Sequence, residues 1–442
     1  MPSADPIRHV ILLILENRSF DHMLGGLAGN IAGLDGVDPA HPNMNFDSTG
    51  RAYTQAPTTR QQFPLDPKHE LANVATQLKD GNSGFILDFE QAYPRSSQQD
   101  RQEVMAYYSA GFLPGLHALA GDFTVCDRWF ASVPGPTWPN RFFALSGTSL
   151  GRAIMPEGVD VAHLDRYFQQ TQPTIFDRLN EKGRSWKNYF YDFPSSWLLL
   201  RQLLPQNLIH YRPIDDFFQD VRSESTFPDF VFIEPKYFGQ DQNDDHPPHN
   251  IMKGEKLIAD VYDAVRSNPD LWNSTLLVVA FDEHGGFYDH VSPPAAVPPD
   301  AHQEEYSFDR LGPRVPALLI SPWVSRRVEH TVFDHTSVLR YLVDKWGLGA
   351  LGQRTANAAS LAVAIREQAP RTDTVPFIRV PYSVLIPPNP ALEKQDVNAH
   401  QNGLAAFARH LEQKTGAAIV AADPAERMTA LVNGIRAGKF KM

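Results

Sequence analysis

Two uninterrupted runs of branched apolar residues dominate the hydropathy pattern of this chain. Residues 10–15, VILLIL, are of strand length and lack alternation, as a central strand covered on both faces requires. The run stops at Glu16 and Asn17, and residues 18–24 then read as a turn and a short helix. Residues 276–281, LLVVAF, repeat the pattern and stop at Asp282-Glu283-His284-Gly285-Gly286. Polar residues leaving the carboxyl ends of such strands stand where open α/β sheets bind ligands. If the two strands are neighbours, Glu16, Asn17, Asp282 and Glu283 supply four oxygen donors suited to a hard or borderline divalent cation. On the first run alone, helix capping explains Glu16 and Asn17 equally well.

The remaining pattern alternates strand and helix, which predicts parallel βα units. Residues 30–67 read as a long loop with at most short strands, leading into Asp66-Pro67-Lys68-His69-Glu70 and a helix from near His69. Residues 99–120 predict a helix broken near Pro114, and 123–133 a short strand and turn. These lead into Gly135-Pro136-Thr137-Trp138-Pro139-Asn140-Arg141, where two prolines and a glycine pin the backbone around one hydroxyl. A pinned Thr137 at a helix start is well placed to meet an anion, although a helix N-cap is the safer reading of that segment by itself. Further on come a helix at 175–183, strands at 186–191 and 227–233, and the loop QDQNDDHPPHN, which carries His246 and His249. A helix at 252–267, a proline-containing insertion at 293–310, a strand at 315–320 and a helix at 336–346 follow. Past residue 352 the character changes. Residues 375–390 read as loops or an edge strand, and 401–439 as two amphipathic helices around Asp423-Pro424. The expected organisation is a catalytic domain over 1–352 and a C-terminal appendage of mixed loop and helix over 353–442.

At 442 residues and 42% hydrophobic content the chain can bury one large core or two. A formal net charge of −11 disfavours a nucleic-acid-binding surface and adsorption to anionic membranes. Cys126 is the only cysteine, which excludes an internal disulfide and multi-cysteine metal clusters, and its apolar context makes it inert. No apolar run is long enough to cross a bilayer, and the first run is too short for a signal peptide and lacks a small-residue cleavage site. The expected location is cytoplasmic, or secreted if an export signal was trimmed, with peripheral membrane contact at most.

The stretches ENRSFDHMLG, DPKHE, GPTWPNRFF, NDDHPPHN and FDEHGGFYDHVSPP, in this order, resemble a phosphoesterase family. That family includes non-specific phospholipases C and a secreted acid phosphatase, and the resemblance covers about residues 7–346. It implies an alkaline-phosphatase-like α/β sandwich, with a central mainly parallel sheet flanked by helices and a metal-bound hydroxyl nucleophile at the strand ends. Carried over by position, Glu16 and Asn17 match the first pair of metal ligands and Asp282 and Glu283 the second. Thr137 matches the nucleophile, His69 and His246 the active-site histidines, and Asn140 the place of a phosphate contact. One divalent metal ion is implied, its identity left open. His249, His284, His290 and His335 are expected to be structural or to orient their neighbours.

The chemistry agrees with this resemblance. A threonine hydroxyl is a poor nucleophile at neutral pH unless a cation stabilises its alkoxide. His246, Asn140 and His69 would hold the charge at phosphorus. The implied activity is that of a phospholipase C, releasing diacylglycerol and a phosphorylated head group through a phosphothreonine. An acid phosphatase acting on small soluble phosphates is the alternative, and a non-catalytic binding protein of the same fold is a remoter one. Trp138, Phe238, Phe287, Tyr288 and Trp323 are candidate walls for a lipid, and the loops 30–67 and 293–310 its expected rim.

Overall fold

Eight strands form the central sheet of the computed structural model, which describes residues 5–156, 167–239, 241–381, 398–419, 421 and 423–440. In chain order they are β1 (His9–Leu15), β2 (Thr124–Cys126), β3 (Trp186–Phe190), β4 (Tyr211–Pro213), β5 (Phe230–Glu234), β6 (Thr275–Phe281), β7 (Ala317–Ile320) and β8 (Arg327–Glu329). Their order across the sheet is β8-β2-β7-β6-β1-β5-β3-β4. Pairing is parallel except where β7 runs against β6 and β2. The fold class is therefore α/β with a mainly parallel sheet, as the alternation predicts.

The two long apolar runs are the centre of this sheet. β1 and β6 are parallel neighbours in unbroken register, from His9 opposite Thr275 to Leu15 opposite Phe281. Every residue of both strands is buried, which is why neither sequence alternates. The helices that matter here are α1 (Thr137–Ser146), α2 (Ile251–Arg266), α3 (Thr336–Trp346), α4 (Ala399–Thr415) and α5 (Pro424–Arg436). Helix α1 packs against α3, and α2 against β6. None of the helices is long and apolar enough to cross a membrane among the described residues.

Two local expectations are corrected, and a third lies partly outside the described residues. The helix expected over 99–120 is two helices, Gln98–Val104 and Leu116–Asp122, with the strand Ala106–Tyr108 between them. That strand pairs in parallel with Ala56–Thr58, so partner strand and buried aromatics override helical periodicity. The helix expected near His69 starts at Leu71, which leaves His69 on a loop. Of the segment 375–390, residues 382–390 lie outside the described residues.

The C-terminal helices share the core of the sheet. Leu404, Phe407, Leu411, Met428 and Leu431 belong to the same hydrophobic cluster as β1 and β6. Phe407 packs on Phe168 and Phe193 with ring centroids 5.2 and 6.3 Å apart. Among the described residues this cluster continues past residue 352.

Candidate active site

Adjacent parallel strands of equal register end together, so Glu16-Asn17 and Asp282-Glu283 leave β1 and β6 side by side. Asn17 then turns through a left-handed conformation, φ 56°. Its backbone N–H donates to Asp282 Oδ1 at 3.2 Å, and the Glu283 N–H donates to the same oxygen at 2.8 Å. Two glycines let a third segment join. A Cβ on Gly285 (φ 62°) would lie 2.1 Å from the Asn17 carbonyl oxygen, and one on Gly286 (φ 70°) 2.7 Å from that of Lys68. The loop bearing His69 thereby reaches the strand ends. Asn17 Nδ2 donates to His69 Nε2 at 3.2 Å, His69 Nδ1–H donates to the Pro67 carbonyl at 2.9 Å, and His69 Nε2 is 3.9 Å from Glu283 Oε1.

Thr137 is the first residue of α1, and Pro136 occupies the N-cap position. Its hydroxyl caps nothing and donates instead to Asn17 Oδ1 at 3.4 Å. One turn later on the same helix face, Arg141 Nε donates to Asp282 Oδ2 at 3.1 Å, and Nη2 lies 3.2 Å from Glu16 Oε1. Arg141 lies in the stretch GPTWPNRFF, and the resemblance implies no role for it. Its spacing of four from Thr137 is the signal that places both on one face.

Asn140 departs from expectation. Its Oδ1 accepts from the Val133 N–H, and its Nδ2 donates to the carbonyls of Val133, Gly135 and Pro136. The amide is spent clamping the loop that presents Thr137, so a phosphate contact from it requires breaking that clamp. His246 is open by contrast. Its Nδ1–H donates to the Pro247 carbonyl at 2.6 Å, while Nε2 is buried without a hydrogen-bond partner, 4.0 Å from Asp66 Oδ1. Its ring meets that of His69 edge-on, with centroids 6.0 Å apart.

Burial drives the Glu16 carboxyl well above its usual range, with Arg141 opposing and Asp282, Asp244 and Glu283 adding to the rise. Burial likewise lifts Asp282 to about 6 against Arg141, and Glu283 to about 7 against His69. For His69, burial pulls down but Glu283, Asp66 and Glu70 prevail and hold it up to about 9. That affinity for a proton conflicts with the Asn17 amide donating to Nε2. The hydrogen bond fixes Nε2 as an acceptor in this arrangement, and the acidic surroundings make it a ready base once the amide lets go. Burial keeps His246 neutral, pulling it down to about 4.

The buried carboxylates of Glu16 and Asp282 thus share one guanidinium, Glu283 lies beside them, and both Glu16 oxygens and Glu283 Oε1 accept no hydrogen bond. Desolvated anionic lone pairs without donors are costly unless a cation meets them. An all-oxygen donor set of Glu16, Asn17, Asp282 and Glu283, with the Thr137 hydroxyl beside it, fits a divalent ion of the hard or borderline class. A more compact grouping, not foreseen from sequence, is Asp21, Asp289 and His290, whose ligand atoms lie within 4.8 Å of one another. There Arg314 donates to Asp289 Oδ1 at 2.8 Å and Asp21 Oδ1 at 3.0 Å, and Gln55 donates to Asp21 Oδ2 at 2.8 Å.

A model of the Phosphoesterase family matches residues 7–349. The chain belongs to this family. It is 35% identical over 399 residues to the non-specific phospholipase C6 of Arabidopsis thaliana, covering 83% of this chain and 74% of that one. It is 30% identical over 406 residues to phospholipase C B of Mycobacterium tuberculosis, covering 77% and 74%. Among solved structures, an alkaline phosphatase superfamily protein from Vibrio parahaemolyticus aligns over 54% of this chain and 61% of its own at 14% identity, with a TM-score of 0.33.

The other histidines of this phosphoesterase hold its framework. His335 Nε2–H donates to the Asp282 carbonyl at 2.6 Å, while Nδ1 accepts from Trp129 at 3.2 Å. His284 Nε2–H donates to Gln77 Oε1 at 2.7 Å, and His249 Nδ1 meets Asp244 Oδ1 at 2.5 Å. His290 pairs with Asp21 and Asp35. Of the aromatic residues considered as lipid walls, Trp138, Phe238, Phe287 and Tyr288 are buried, and Phe287 stacks on His22 at 4.1 Å. Trp323 donates to the Asn273 carbonyl, just before β6 begins, so it stands at the opposite end of the sheet from the site.

Proposed function

We propose that this phosphoesterase is a phospholipase C in which Thr137 is the nucleophile. The observation that carries the reading is the Thr137 hydroxyl, buried at a helix start and hydrogen-bonded to Asn17 beside two carboxylates, Glu16 and Glu283, with bare buried oxygens. The relatives named phospholipase C supply the substrate class. A divalent cation held by Glu16, Asn17, Asp282 and Glu283 would stabilise the alkoxide of Thr137 and the charge at phosphorus.

The chain's own groups set up the rest. Thr137 Oγ1 attacks phosphorus, the bond to the glycerol oxygen breaks, and diacylglycerol leaves with a proton. Water then attacks the phosphothreonine, releasing the phosphorylated head group and restoring the hydroxyl. The amino terminus of α1 favours negative charge beside Thr137. Arg141 holds Asp282 and Glu16 in place. His69, with the higher proton affinity and with Nε2 beside Asn17 and Glu283, is the better carrier of the proton to the leaving oxygen. Burial of the whole set excludes bulk water and strengthens every interaction within it.

The test pairs a choline phospholipid in mixed micelles with an aryl phosphomonoester, with metal content measured on the same preparation. Diacylglycerol release, with acid-stable phosphate recovered on the peptide containing Thr137, is the expected result. Efficient monoester hydrolysis without diacylglycerol would assign a phosphatase instead, and no turnover of either would return the chain to a binding role.

A further inference from the structure

We infer that helix α4 completes the active site, with His400 as a positioning residue for the Glu16 carboxylate. The inference rests on the reading of Glu16 as a metal-binding group. The family match ends at residue 349, and none of the five motifs reaches this helix. Yet the start of α4 is tied to the site through Tyr237. Asn398 and Gln401 cap the helix reciprocally, Asn398 Oδ1 accepting from the Gln401 N–H at 2.8 Å and Gln401 Oε1 from the Asn398 N–H at 3.0 Å. Gln401 Nε2 then donates to the Tyr237 carbonyl at 2.6 Å, and the Tyr237 hydroxyl accepts from Arg141 Nη1 at 3.0 Å. The His400 ring, 1% exposed, lies on the Tyr237 ring at 4.4 Å.

The orientation of His400 follows from its partner. Trp138 Nε1, which can only donate, gives its hydrogen to His400 Nδ1 at 3.2 Å. Nδ1 therefore accepts from the indole, which fixes how the ring is turned. That acceptor nitrogen lies 3.3 Å from Glu16 Oε1. The buried ring is therefore a stop on one side of Oε1, while Arg141 holds it from another. Trp138, adjacent to Thr137, fixes the ring that fixes the carboxylate. The nucleophile's helix and the C-terminal helix are thus coupled through Glu16.

The experiment measures Mn2+ dissociation constants by calorimetry, and melting temperatures on the same samples, for the full chain and three variants. His400→Leu fills the volume without an acceptor, and weakening by about tenfold or more is expected. His400→Asn retains an acceptor for Trp138 and is expected to stay within about threefold of the parent. Glu16→Gln should lose about a hundredfold. Unchanged affinity in His400→Leu, with binding lost in Glu16→Gln, would overturn the positioning role and leave the metal reading standing. Unchanged affinity in Glu16→Gln would overturn both. Should His400→Leu fail to fold, Trp138→Phe removes the N–H that fixes the ring. Weakened Mn2+ binding in that variant supports the inference, and parental affinity overturns it.

Discussion

The same two loops build two acidic clusters that behave in opposite ways. Residues 16–17 and 282–283, at the strand ends, form the candidate metal site; Asp21, Asp289 and His290, a few residues further along each loop, form the compact triad. In the triad every carboxylate oxygen accepts a hydrogen bond, from Arg314, Gln55, His290, Val291 or the Asp21 backbone. At the strand ends Glu16 and Glu283 retain bare oxygens. Close packing of ligand atoms is therefore a poor guide to a cation site, because an arginine can supply the same charge. Unsatisfied buried lone pairs are the better one. The first cluster leaves buried negative charge bare, and the second already holds its counter-charge.

The largest expected effect is at the nucleophile. Thr137→Ala should lower phosphoester hydrolysis by about a thousandfold or more while the melting curve stays normal. Full activity in that variant would assign the attack elsewhere.

Next come substitutions that set the clusters against each other. Arg314→Met strips the triad of its buried partner and should destabilise by about 3–5 kcal/mol in chemical denaturation, with Mn2+ affinity unchanged. Glu283→Gln should do the reverse, abolishing tight Mn2+ binding while leaving the metal-free protein as stable as the parent or more so, since it removes an uncompensated buried charge. The same pattern of loss in both variants would erase the distinction between the clusters.

Gly285→Ala should cost about 1–3 kcal/mol, because a side chain there is strained at positive φ and collides with the Asn17 carbonyl. Mn2+ affinity should fall with it, as Asn17 is displaced.

The smallest effect is a pH dependence confined to the triad. Burial lowers the affinity of His290 for a proton, but Asp21 and Asp35 prevail and hold it up to about 10. A histidine raised in the fold stabilises while charged, so the contribution is complete below its ordinary 6.5 and is lost as pH rises through about 10. His290→Asn should flatten the fall in melting temperature over that window and leave the acid side little changed. An unchanged alkaline slope would contradict the pairing.

Much of this arrangement was legible because its signal is local. Uninterrupted apolar runs ending in acids announced β1 and β6, and burial on both faces is what such runs mean. Their adjacency was not legible, since register between strands some 260 residues apart is a tertiary fact. The strand Ala106–Tyr108 was read as helix because its partner, Ala56–Thr58, lies in a segment without periodicity. Asn140 looked like a free donor because sequence shows an amide but not the four bonds that occupy it. His400 gave no signal at all, being one histidine on an ordinary amphipathic helix. Arg141 is legible only by its spacing of four from Thr137.

The most direct test of the central claim is anomalous diffraction from crystals grown with Mn2+. The account predicts one strong peak within about 2.0–2.6 Å of oxygens from Glu16, Asn17, Asp282 and Glu283, with the Thr137 hydroxyl adjoining it. A peak at Asp21, Asp289 and His290, with none at the strand ends, would contradict it.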